Sequence, residues 1–322
     1  MHAMVISQFG PPAVLQPAEA AEVIAAPGGV VIDVEVCGVT FVETQIRAGK
    51  APRREMLPAL PAILGNGVGG TVTEVGAGVD AGLVGRRVVT SLNGTGGYAH
   101  RAAASAGQLV DVPEGVPLRA AVALLADGRT ALSQVDRAQL KPGDTVLIEA
   151  AAGGVGTLLI QFARNAGARV VALAGQERKL AVAAELGADV TVDYSQADWP
   201  DRVRDAVGTV DVVFDGVGGA IGLAAFELLG PGGRFCPFGM ASGSFTPVTP
   251  ELVQQRRVTI GQGPAVSPAD GVAWQQKALD EAAAGRIRPV IGQELELEQA
   301  AAAHAAIEAR TTIGKTLLTV TR

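Results

Sequence analysis

The chain has 322 residues, which suits two domains better than a single core. Apolar residues make up 48% of it and charged residues 18%, so the composition predicts a compact globular protein, and no apolar run reaches the roughly 18 residues of a membrane span. The net charge of −6, without a basic tract, argues against nucleic acid as the main partner.

The first 120 residues are typical of a β-rich domain. Gly and Pro clusters separate three short runs of alternating apolar residues, at 30–36, 70–75 and 87–91, and only residues 42–48 have helical periodicity. Residues 1–9 predict a strand. They lack the basic and apolar blocks of a signal peptide, so we expect a cytoplasmic protein.

The pattern changes near residue 121, where strands begin to alternate with helices. This alternation predicts a doubly wound parallel sheet. Two helical patterns and a strand follow residue 262. In chain order, the predicted helices are 120–125, 130–139, 157–165, 178–186, 221–229, 268–284 and 298–310, and the predicted strands are 146–148, 169–174, 190–192, 211–215, 234–238 and 315–321.

The most specific motif follows the strand at 146–148. The apolar run ends in a turn of small residues, 151–156, and a helix pattern begins there. The turn fills two of the three glycine positions of a dinucleotide fingerprint, with Ala151 at the first, and a second strand follows at the spacing of a βαβ unit. Small residues let the backbone approach a pyrophosphate, and the helix start offers free N–H groups. We expect the cofactor contacts Gly153, Gly154, Val155 and Gly156.

The residues after the second strand favour NADPH over NADH. An NAD site places a carboxylate at the end of that strand, where this chain has Ala174 and Gly175. The cations that follow can bind a 2′-phosphate, although a solvated first helical turn would carry the same residues. Glu177 either faces solvent or binds the ribose. The expected contacts with this part of NADPH are Gly175, Gln176, Arg178, Lys179 and Tyr194.

Metal chemistry is not expected. Two cysteines, Cys37 and Cys236, and three histidines leave few ligands for zinc, which normally takes three or four Cys, His or carboxylate groups. The sequence has no C-x-x-C pair. Both cysteines are expected to pack as small apolar residues in a reducing compartment.

Six segments, taken in order, resemble the medium-chain dehydrogenase/reductase superfamily, and within it the zinc-independent NADPH:quinone oxidoreductases. They are residues 37–49, 64–76, 96–99, 151–156, 232–234 and 314–318. The resemblance covers essentially the whole chain. It implies an α/β protein with a β-rich GroES-like catalytic domain (1–120 and 262–322) and a doubly wound Rossmann domain (121–261). It also implies a homodimer paired through the sheet edge near 258–261.

The zinc alcohol dehydrogenases of this superfamily differ from the chain at both metal sites. They carry a ligand cysteine where Thr40 stands, and a Gly-His-Glu where this chain has Gly65, Asn66 and Gly67. Their structural-zinc lobe has no counterpart between residues 91 and 107. The resemblance therefore implies that both metals are absent. The quinone reductases usually have Asn at the position of Thr40, so how the substrate carbonyl or the cofactor ribose is held stays open.

The same resemblance suggests the candidate catalytic residues. Thr40 would be a hydroxyl donor near the nicotinamide, Phe41 would lie beside it, and Asn66 would line the site; core packing is the alternative for Thr40 and Phe41. Gln45 and Arg47 would reach the cofactor or substrate, or else face solvent. No residue is assigned as a general base.

Further cofactor contacts are expected at the carboxyl edge of the sheet. Thr130 resembles the family's contact with the nicotinamide amide, and residues 216–219 would approach the nicotinamide ribose through their backbone. The remaining expected contacts are Val217, Gly219, Phe238 and Gly239.

A site without metal favours particular acceptors. Hydride addition to a simple carbonyl forms an alkoxide-like oxygen, which a Lewis acid normally stabilises. A quinone instead forms an aromatic oxyanion comparable to the tyrosine phenolate, with a pKa of about 10, and enones share part of this advantage. We expect NADPH-dependent reduction of a quinone or related α,β-unsaturated carbonyl. The alternatives are enoyl-thioester reduction and an NADPH-binding structural or sensory protein without turnover.

Overall fold

The computed structural model describes residues 1–261 and 268–321, which form two compact units. Unit 1 holds the described residues of Met1–Ala126, Gly271–Gly285 and Pro289–Arg322, and unit 2 those of Asp127–Asp270 and Arg286–Arg288. The expected domain boundary at residue 262 lies outside the described residues. None of the described helices is long and apolar enough to cross a membrane.

The strands are β1 His2–Ile6, β2 Gln16–Glu19, β3 Gly29–Val39, β4 Ala62–Ile63, β5 Gly67–Val75, β6 Arg87–Ser91, β7 Arg101–Ser105, β8 Val110–Asp111, β9 Thr145–Ile148, β10 Arg169–Ala174, β11 Val190–Asp193, β12 Val210–Asp215, β13 Leu229–Pro237, β14 Thr259–Ile260, β15 Ile291–Glu296 and β16 Lys315–Thr319. The α-helices are α1 Phe41–Arg47, α2 Leu118–Ala138, α3 Gly154–Asn165, α4 Glu177–Glu185, α5 Trp199–Val207, α6 Gly219–Glu227, α7 Pro250–Arg256, α8 Pro268–Ala283 and α9 Ala300–Glu308. Short 3₁₀ helices lie at Pro12–Val14, Arg54–Met56, Ala81–Leu83, Ala106–Gln108 and Leu297–Gln299.

Unit 1 is built on a mainly antiparallel sheet in the order β15-β16-β3-β5-β6-β8, with β7 also paired to β3. Unit 1 also contains a smaller antiparallel sheet in the order β2-β1-β4. The apolar faces of these strands form a core around Met4, Ile32, Val68 and Leu318. Strands β3 and β5 approach closely at Gly70, where a Cβ atom would lie 1.9 Å from the carbonyl oxygen of Asp33.

Unit 2 contains a parallel sheet in the order β11-β10-β9-β12-β13-β14. Numbered from β9, this is the 3-2-1-4-5-6 order of the dinucleotide-binding fold. The predicted doubly wound parallel sheet is therefore confirmed. The chain reverses direction in the sheet between β9 and β12, so a ligand site is expected outside the carboxyl ends of these two strands. Phe226 and Phe235 pack edge to face in the core, with ring centroids 5.3 Å apart.

The structure has strands that were not predicted, β2, β4, β7, β8 and β15, and its helices differ from the prediction in two ways. The helices expected at 120–125 and 130–139 are one helix, α2, because the Asp127-Gly128 pair between them costs only about 1 kcal/mol inside a helix. Helices α5 and α7 were not expected. Each carries a proline in its first turn, Pro200 and Pro250, and proline is well suited to that position.

Arg47 neither reaches a cofactor nor faces solvent. It lies at the end of α1, is 1% exposed, and donates hydrogen bonds to the Gly10 carbonyl and to the Glu308 carboxylate of α9. Desolvating a guanidinium is costly unless a counter-charge is close. Glu308 supplies that charge, so the ion pair joins α1 to α9 inside unit 1.

We predict that Arg47→Ala lowers the free energy of unfolding by about 2–4 kcal/mol, because Glu308 loses its partner and the Gly10 carbonyl its donor. Chemical denaturation measures the change. The control is Arg54→Ala, an exposed arginine of the same unit, which should change stability by less than about 0.5 kcal/mol. Similar small changes in both variants would contradict this account.

Candidate active site

The turn between β9 and α3 fits a pyrophosphate. Gly153 immediately precedes α3, and a Cβ atom there would meet only the Ala150 carbonyl oxygen, at 3.2 Å. The next two glycines of the turn, Gly154 and Gly156, are in close contact with other residues of unit 2. A Cβ atom at Gly156 would lie 2.5 Å from that same oxygen, and one at Gly154 would lie 1.9 Å from Asp127 Oδ2. The turn therefore needs glycine for close packing on one side and leaves the helix start accessible to an anion.

The end of β10 carries no carboxylate. Ala174 is buried, and Gly175 lies against the ring of Tyr194, since a Cβ atom on Gly175 would be 3.3 Å from Tyr194 Cε2. Arg178 is exposed and donates to Gln176 Oε1 over 3.1 Å. Glu177, the first residue of α4, is also exposed. Five predicted contacts thus lie on or beside this strand end, which agrees with the reasoning that favours NADPH.

Two buried carboxyl groups meet at the switch point of the sheet. Glu149 follows β9 and Asp215 ends β12, and both are fully buried. The amide of Val217 donates to Glu149 Oε2 and to Asp215 Oδ1, each over 3.1 Å, and the Gly218 amide donates to Asp215 Oδ1 over 2.6 Å. The hydroxyl of Thr246 donates to the other Asp215 oxygen. The pair therefore holds the loop between β12 and α6 in place.

Burial and a neighbouring carboxyl group both disfavour ionisation of Glu149. Burial, and then the adjacent Asp215 carboxylate, raise the pKa of Glu149 well above its ordinary value. Two carboxylates this close cannot both ionise at little cost, which favours the protonated form of Glu149. Its Oε1 atom has no hydrogen-bond partner among the described residues.

The loop after β13 packs against the same strand end. The amides of Phe238 and Gly239 donate to the Asp215 carbonyl over 2.9 and 3.2 Å, and the Phe238 ring lies against Gly216. Val217 is 6% exposed, and its carbonyl accepts from the Ser242 amide over 2.8 Å. The structure thus brings together the predicted contacts Val217, Gly219, Phe238 and Gly239. Thr130 lies apart from them in sequence, on α2, and is half-buried.

In unit 1 the candidate site surrounds the start of α1. Thr40 is the residue before the helix and is half-buried. Its backbone amide and its hydroxyl donate to Glu43 Oε2 over 2.6 and 2.9 Å. The backbone amide of Asn66 donates to Glu43 Oε1 over 2.6 Å. Glu43 therefore joins two of the three predicted catalytic residues. The third, Phe41, stacks with the Arg310 guanidinium, 4.5 Å from its ring centroid.

A buried polar chain continues from Glu43. The Tyr98 hydroxyl lies 3.3 Å from Glu43 Oε2 and 3.1 Å from His304 Nε2. Both Tyr98 and His304 are fully buried. Burial lowers the pKa of His304 to about 3, so its ring is neutral, and burial raises the pKa of Glu43.

The sequence reasoning missed four residues of these clusters: Glu43, Tyr98, Glu149 and Asp215. One signal was available, because Thr40 and Glu43 have the spacing of a capping box. The burial of Glu43 depends on Asn66 and Tyr98, which are distant in sequence, and no local pattern predicts that.

The predicted cofactor contact Gln45 lies on α1. Its side chain is half-buried and donates to the Thr44 hydroxyl over 3.1 Å.

Comparisons with known proteins match two family descriptions to segments of the chain and match nearly its whole length to reductases. The family description "Alcohol dehydrogenase GroES-like domain" matches residues 26–114, and "Zinc-binding dehydrogenase" matches residues 154–279. The chain is 33% identical to a 2-haloacrylate reductase of a Burkholderia species, over 91% of each chain. It is 30% identical to a quinone oxidoreductase of Salmonella typhimurium, over 97% of each. The solved Escherichia coli quinone oxidoreductase, complexed with NADPH, matches 99% of this chain and 100% of its own with a TM-score of 0.90 and 27% identity.

The chain belongs to the zinc-independent quinone oxidoreductases of the medium-chain dehydrogenase/reductase superfamily. The predicted family and the combination of a GroES-like domain with a Rossmann domain are confirmed.

The two positions that the family resemblance aligns with zinc ligands have protein partners in this chain. Thr40 is bonded to Glu43, and the side-chain oxygen of Asn66 accepts from the Gly94 amide over 2.7 Å. Within the described ranges, 1–261 and 268–321, no group of three or more His, Cys, Asp or Glu side chains is arranged to hold a metal ion. Cys37 and Cys236 are buried free thiols.

We predict that Glu149→Gln removes a pH-dependent loss of stability. The pKa of Glu149 is raised in the folded state, so its contribution to wild-type stability is complete below the ordinary value of 4.5 and is lost as the pH rises through the folded value. Glutamine cannot ionise. Above that ordinary value, the free energy of unfolding of the variant should therefore rise relative to that of the wild type by up to about 1.4 kcal/mol for each pH unit.

Denaturation between pH 4 and 9 measures this difference. Glu185→Gln, at an exposed glutamate of α4, is the control and should follow the wild-type curve. Parallel curves for the wild type and Glu149→Gln would show that Glu149 is already ionised in the folded protein.

Proposed function

We propose that the chain reduces quinones or related α,β-unsaturated carbonyls with NADPH and without a metal ion. One observation carries this proposal: Thr40 and Asn66, at the two positions that the resemblance aligns with zinc ligands, are hydrogen-bonded to other protein groups. The Thr40 hydroxyl and the Asn66 backbone amide donate to Glu43, and the Asn66 side chain accepts from Gly94. The names of the relatives support the acceptor class, because they include quinone oxidoreductases and a reductase of 2-haloacrylate.

The described residues fit NADPH. The accessible face at Gly153 and the start of α3 would bind the pyrophosphate, and Arg178 with Lys179 would bind the 2′-phosphate, where no carboxylate opposes it. The loop fixed by Glu149 and Asp215 would contact the nicotinamide ribose through its backbone. When bound, NADPH supplies the two electrons and one hydrogen that the acceptor gains on reduction.

The acceptor preference follows from charge. A reduced quinone carries its negative charge on an aromatic oxygen with a pKa of about 10, which water or a weak acid can protonate. A simple alkoxide is far more basic and normally needs a metal ion. Unit 1 would therefore act by placing the acceptor and excluding water around Thr40, Phe41 and Asn66.

Two further features are proposals of the same kind. Strand β14 is at the edge of the parallel sheet, paired on one side with β13, which suits a homodimer formed by edge-to-edge pairing through residues 258–261. Two buried free cysteines suit a reducing, cytoplasmic environment. The acidic net charge of −6 supports small molecules, and not nucleic acid, as the main ligands.

We predict quinone-dependent oxidation of NADPH. The purified protein should consume NADPH when 9,10-phenanthrenequinone is added, and the rate should be unchanged by a chelator, because no step needs a metal ion. Loss of NADPH absorbance measures it. Turnover of crotonyl-CoA without quinone turnover would instead identify an enoyl-thioester reductase. Quenching of Trp fluorescence by NADPH, with no turnover of either acceptor, would identify a binding protein.

The cofactor preference gives a second prediction. The double change Arg178→Ala with Lys179→Ala should raise the KM for NADPH about 10- to 100-fold and change that for NADH less than about 2-fold, because a charge-assisted hydrogen bond contributes roughly 1.5–3 kcal/mol. Arg204→Ala, at a surface arginine of α5 bonded to Asp201, is the matched control. Equal losses with both cofactors would mean that the two residues only stabilise the fold.

A further inference from the structure

A loop of unit 2 exposes an aromatic ring beside the switch point of the parallel sheet. Phe245, in the segment that follows β13, is 56% exposed. The other large apolar residues exposed in the described part of the chain, Ile24 and Val84, belong to unit 1. Single exposed apolar residues are common on protein surfaces, so exposure alone assigns Phe245 no role. The contacts that hold its backbone in place give it one.

Residues 241–246, here called the Phe245 loop, pack on the loop between β12 and α6. A Cβ atom on Gly218 would lie 2.1 Å from the Ser244 carbonyl oxygen and 3.3 Å from the Phe245 Cα atom. This close approach of two backbones requires glycine at residue 218, and its φ of +74° also favours glycine. The backbone of Phe245 is therefore fixed beside residues 216–219.

Asp215 anchors both loops. One of its carboxylate oxygens accepts from two backbone amides of the loop between β12 and α6, and the other accepts from the Thr246 hydroxyl. That hydroxyl is enclosed, because a Cβ atom on Gly222 of α6 would lie 1.9 Å from its oxygen. Asp215 is fully buried at the carboxyl end of β12. The residue that follows Phe245 is thus tied to the strand end where ligands bind in this fold.

The proposed function places an acceptor next to this loop. Residues 216–219 are the proposed contacts of the nicotinamide ribose, and hydride transfer needs the acceptor about 3–3.5 Å from the nicotinamide. A quinone with fused rings offers a flat aromatic face. Aromatic rings attract one another in offset or edge-to-face arrangements, with centroids roughly 4.5–7 Å apart. The exposed ring of Phe245 is suited to such a contact.

A small ligand fits this ring better than a protein partner does. A stable protein interface buries about 800 Å² on each partner. Phe245 is the one large apolar residue exposed in the part of unit 2 that the structure describes, so it has no apolar patch around it. A planar acceptor needs no larger surface, because stacking involves a single face of the ring.

We propose that Phe245 is a specificity-determining residue that stacks on the ring system of the acceptor, and that it favours quinones with fused aromatic rings over aliphatic enones. Thr246 and Asp215 are positioning residues, which hold the Phe245 loop at the end of β12. This inference rests on the proposed reductase function.

The stacking contact acts on binding and not on the chemical step. It involves a face of the acceptor and makes no bond to the oxygen that gains negative charge. An interaction of this kind stabilises the bound acceptor and the transition state about equally, so its loss raises KM and leaves kcat nearly unchanged. This distinguishes it from a general disturbance of the site, which lowers kcat with every acceptor.

The first test compares two acceptors in a variant without the ring. Phe245→Leu keeps an apolar side chain but cannot stack. It should raise the KM for 9,10-phenanthrenequinone about 3- to 10-fold, with kcat and both constants for 2-cyclohexenone changed less than about 2-fold. Phe245→Tyr keeps the ring and should bring this KM back to within about 2-fold of the wild-type value. Val84→Ala, at an exposed apolar residue of unit 1, is the matched control.

The anchor is tested in the same assay. Thr246→Val removes the hydroxyl that donates to Asp215 and nearly keeps the shape of the side chain. It should raise the KM for 9,10-phenanthrenequinone but not that for 2-cyclohexenone, and Thr246→Ser should restore the wild-type value. A lower kcat with both acceptors would show that Thr246 only supports the fold, and would overturn its positioning role.

The second test needs no turnover. Phe245→Trp places an indole on the same loop, and its fluorescence is followed while 9,10-phenanthrenequinone is added in the presence of NADP⁺, which cannot donate hydride. Saturable quenching is expected, after subtraction of the signal of the native Trp199 and Trp274 measured in the wild type. Val84→Trp is the matched control and should show only unsaturated collisional quenching. The same unsaturated quenching in both variants would overturn the proposal.

The outcomes separate the two proposals. Equal KM changes with both acceptors, or no change with either, would overturn the role of Phe245 and leave the reductase function intact. A wild type that reduces neither acceptor would count against the proposed function, and the fluorescence titration would still decide whether the loop binds an aromatic ligand. A change of Phe245→Trp fluorescence with protein concentration alone would place the ring between two copies of the chain, which also overturns the proposal. Thermal unfolding confirms that the compared variants are folded.

Discussion

The burial of the Glu43 carboxyl group is the constraint on which the candidate site of unit 1 depends. Its two oxygens accept from the amides of Thr40 and Asn66, which belong to different parts of the sequence. Without these oxygens, both amides would be donors without an acceptor, at a cost of roughly 1–3 kcal/mol for each buried group. The positions of the Thr40 hydroxyl and the Asn66 backbone are thus set by a side chain of the protein.

Unit 2 uses a carboxyl group in a comparable way. Glu149 and Asp215 both accept from the Val217 amide, and the raised pKa of Glu149 favours a neutral carboxyl group beside Asp215. A neutral carboxyl group can donate as well as accept, so it can fix a loop without a buried counter-ion. The loop it fixes lies at the switch point of the sheet, where movement of the backbone would directly disturb a bound dinucleotide.

The spacing of apolar residues and glycines was enough to predict the strands and the turn of the dinucleotide fold. Strand β10 has the predicted bounds, and the glycine turn lies between β9 and α3 as its spacing indicates. The buried partners of Arg47 and Glu43 could not be predicted, because they are contributed by α9, by Asn66 and by Tyr98. A charged residue on a short helix is more often solvated, and only the tertiary packing shows that these two are not.

The same tertiary packing explains which residues of the site were foreseen. Thr40 and Asn66 were identified because the family resemblance marks their positions, whereas the group that joins them has no such mark. Tyr98 and His304 have sequence neighbours that are small or apolar, which is typical of core positions. Their contribution becomes visible only through the distances of 3.3 and 3.1 Å that connect them to Glu43.

The basicity of the oxygen formed on reduction decides whether the proposed reaction needs a metal ion. A phenolate-type oxygen, with a pKa of about 10, can take its proton from water or a weak acid. Oxidation of a plain alcohol would instead require a base to remove a proton from a hydroxyl about as weakly acidic as water, with a pKa of about 15.7. A metal ion closes that gap by acidifying the oxygen bound to it. The proposed function therefore assigns the chain acceptors whose reduced oxygen is a weak base.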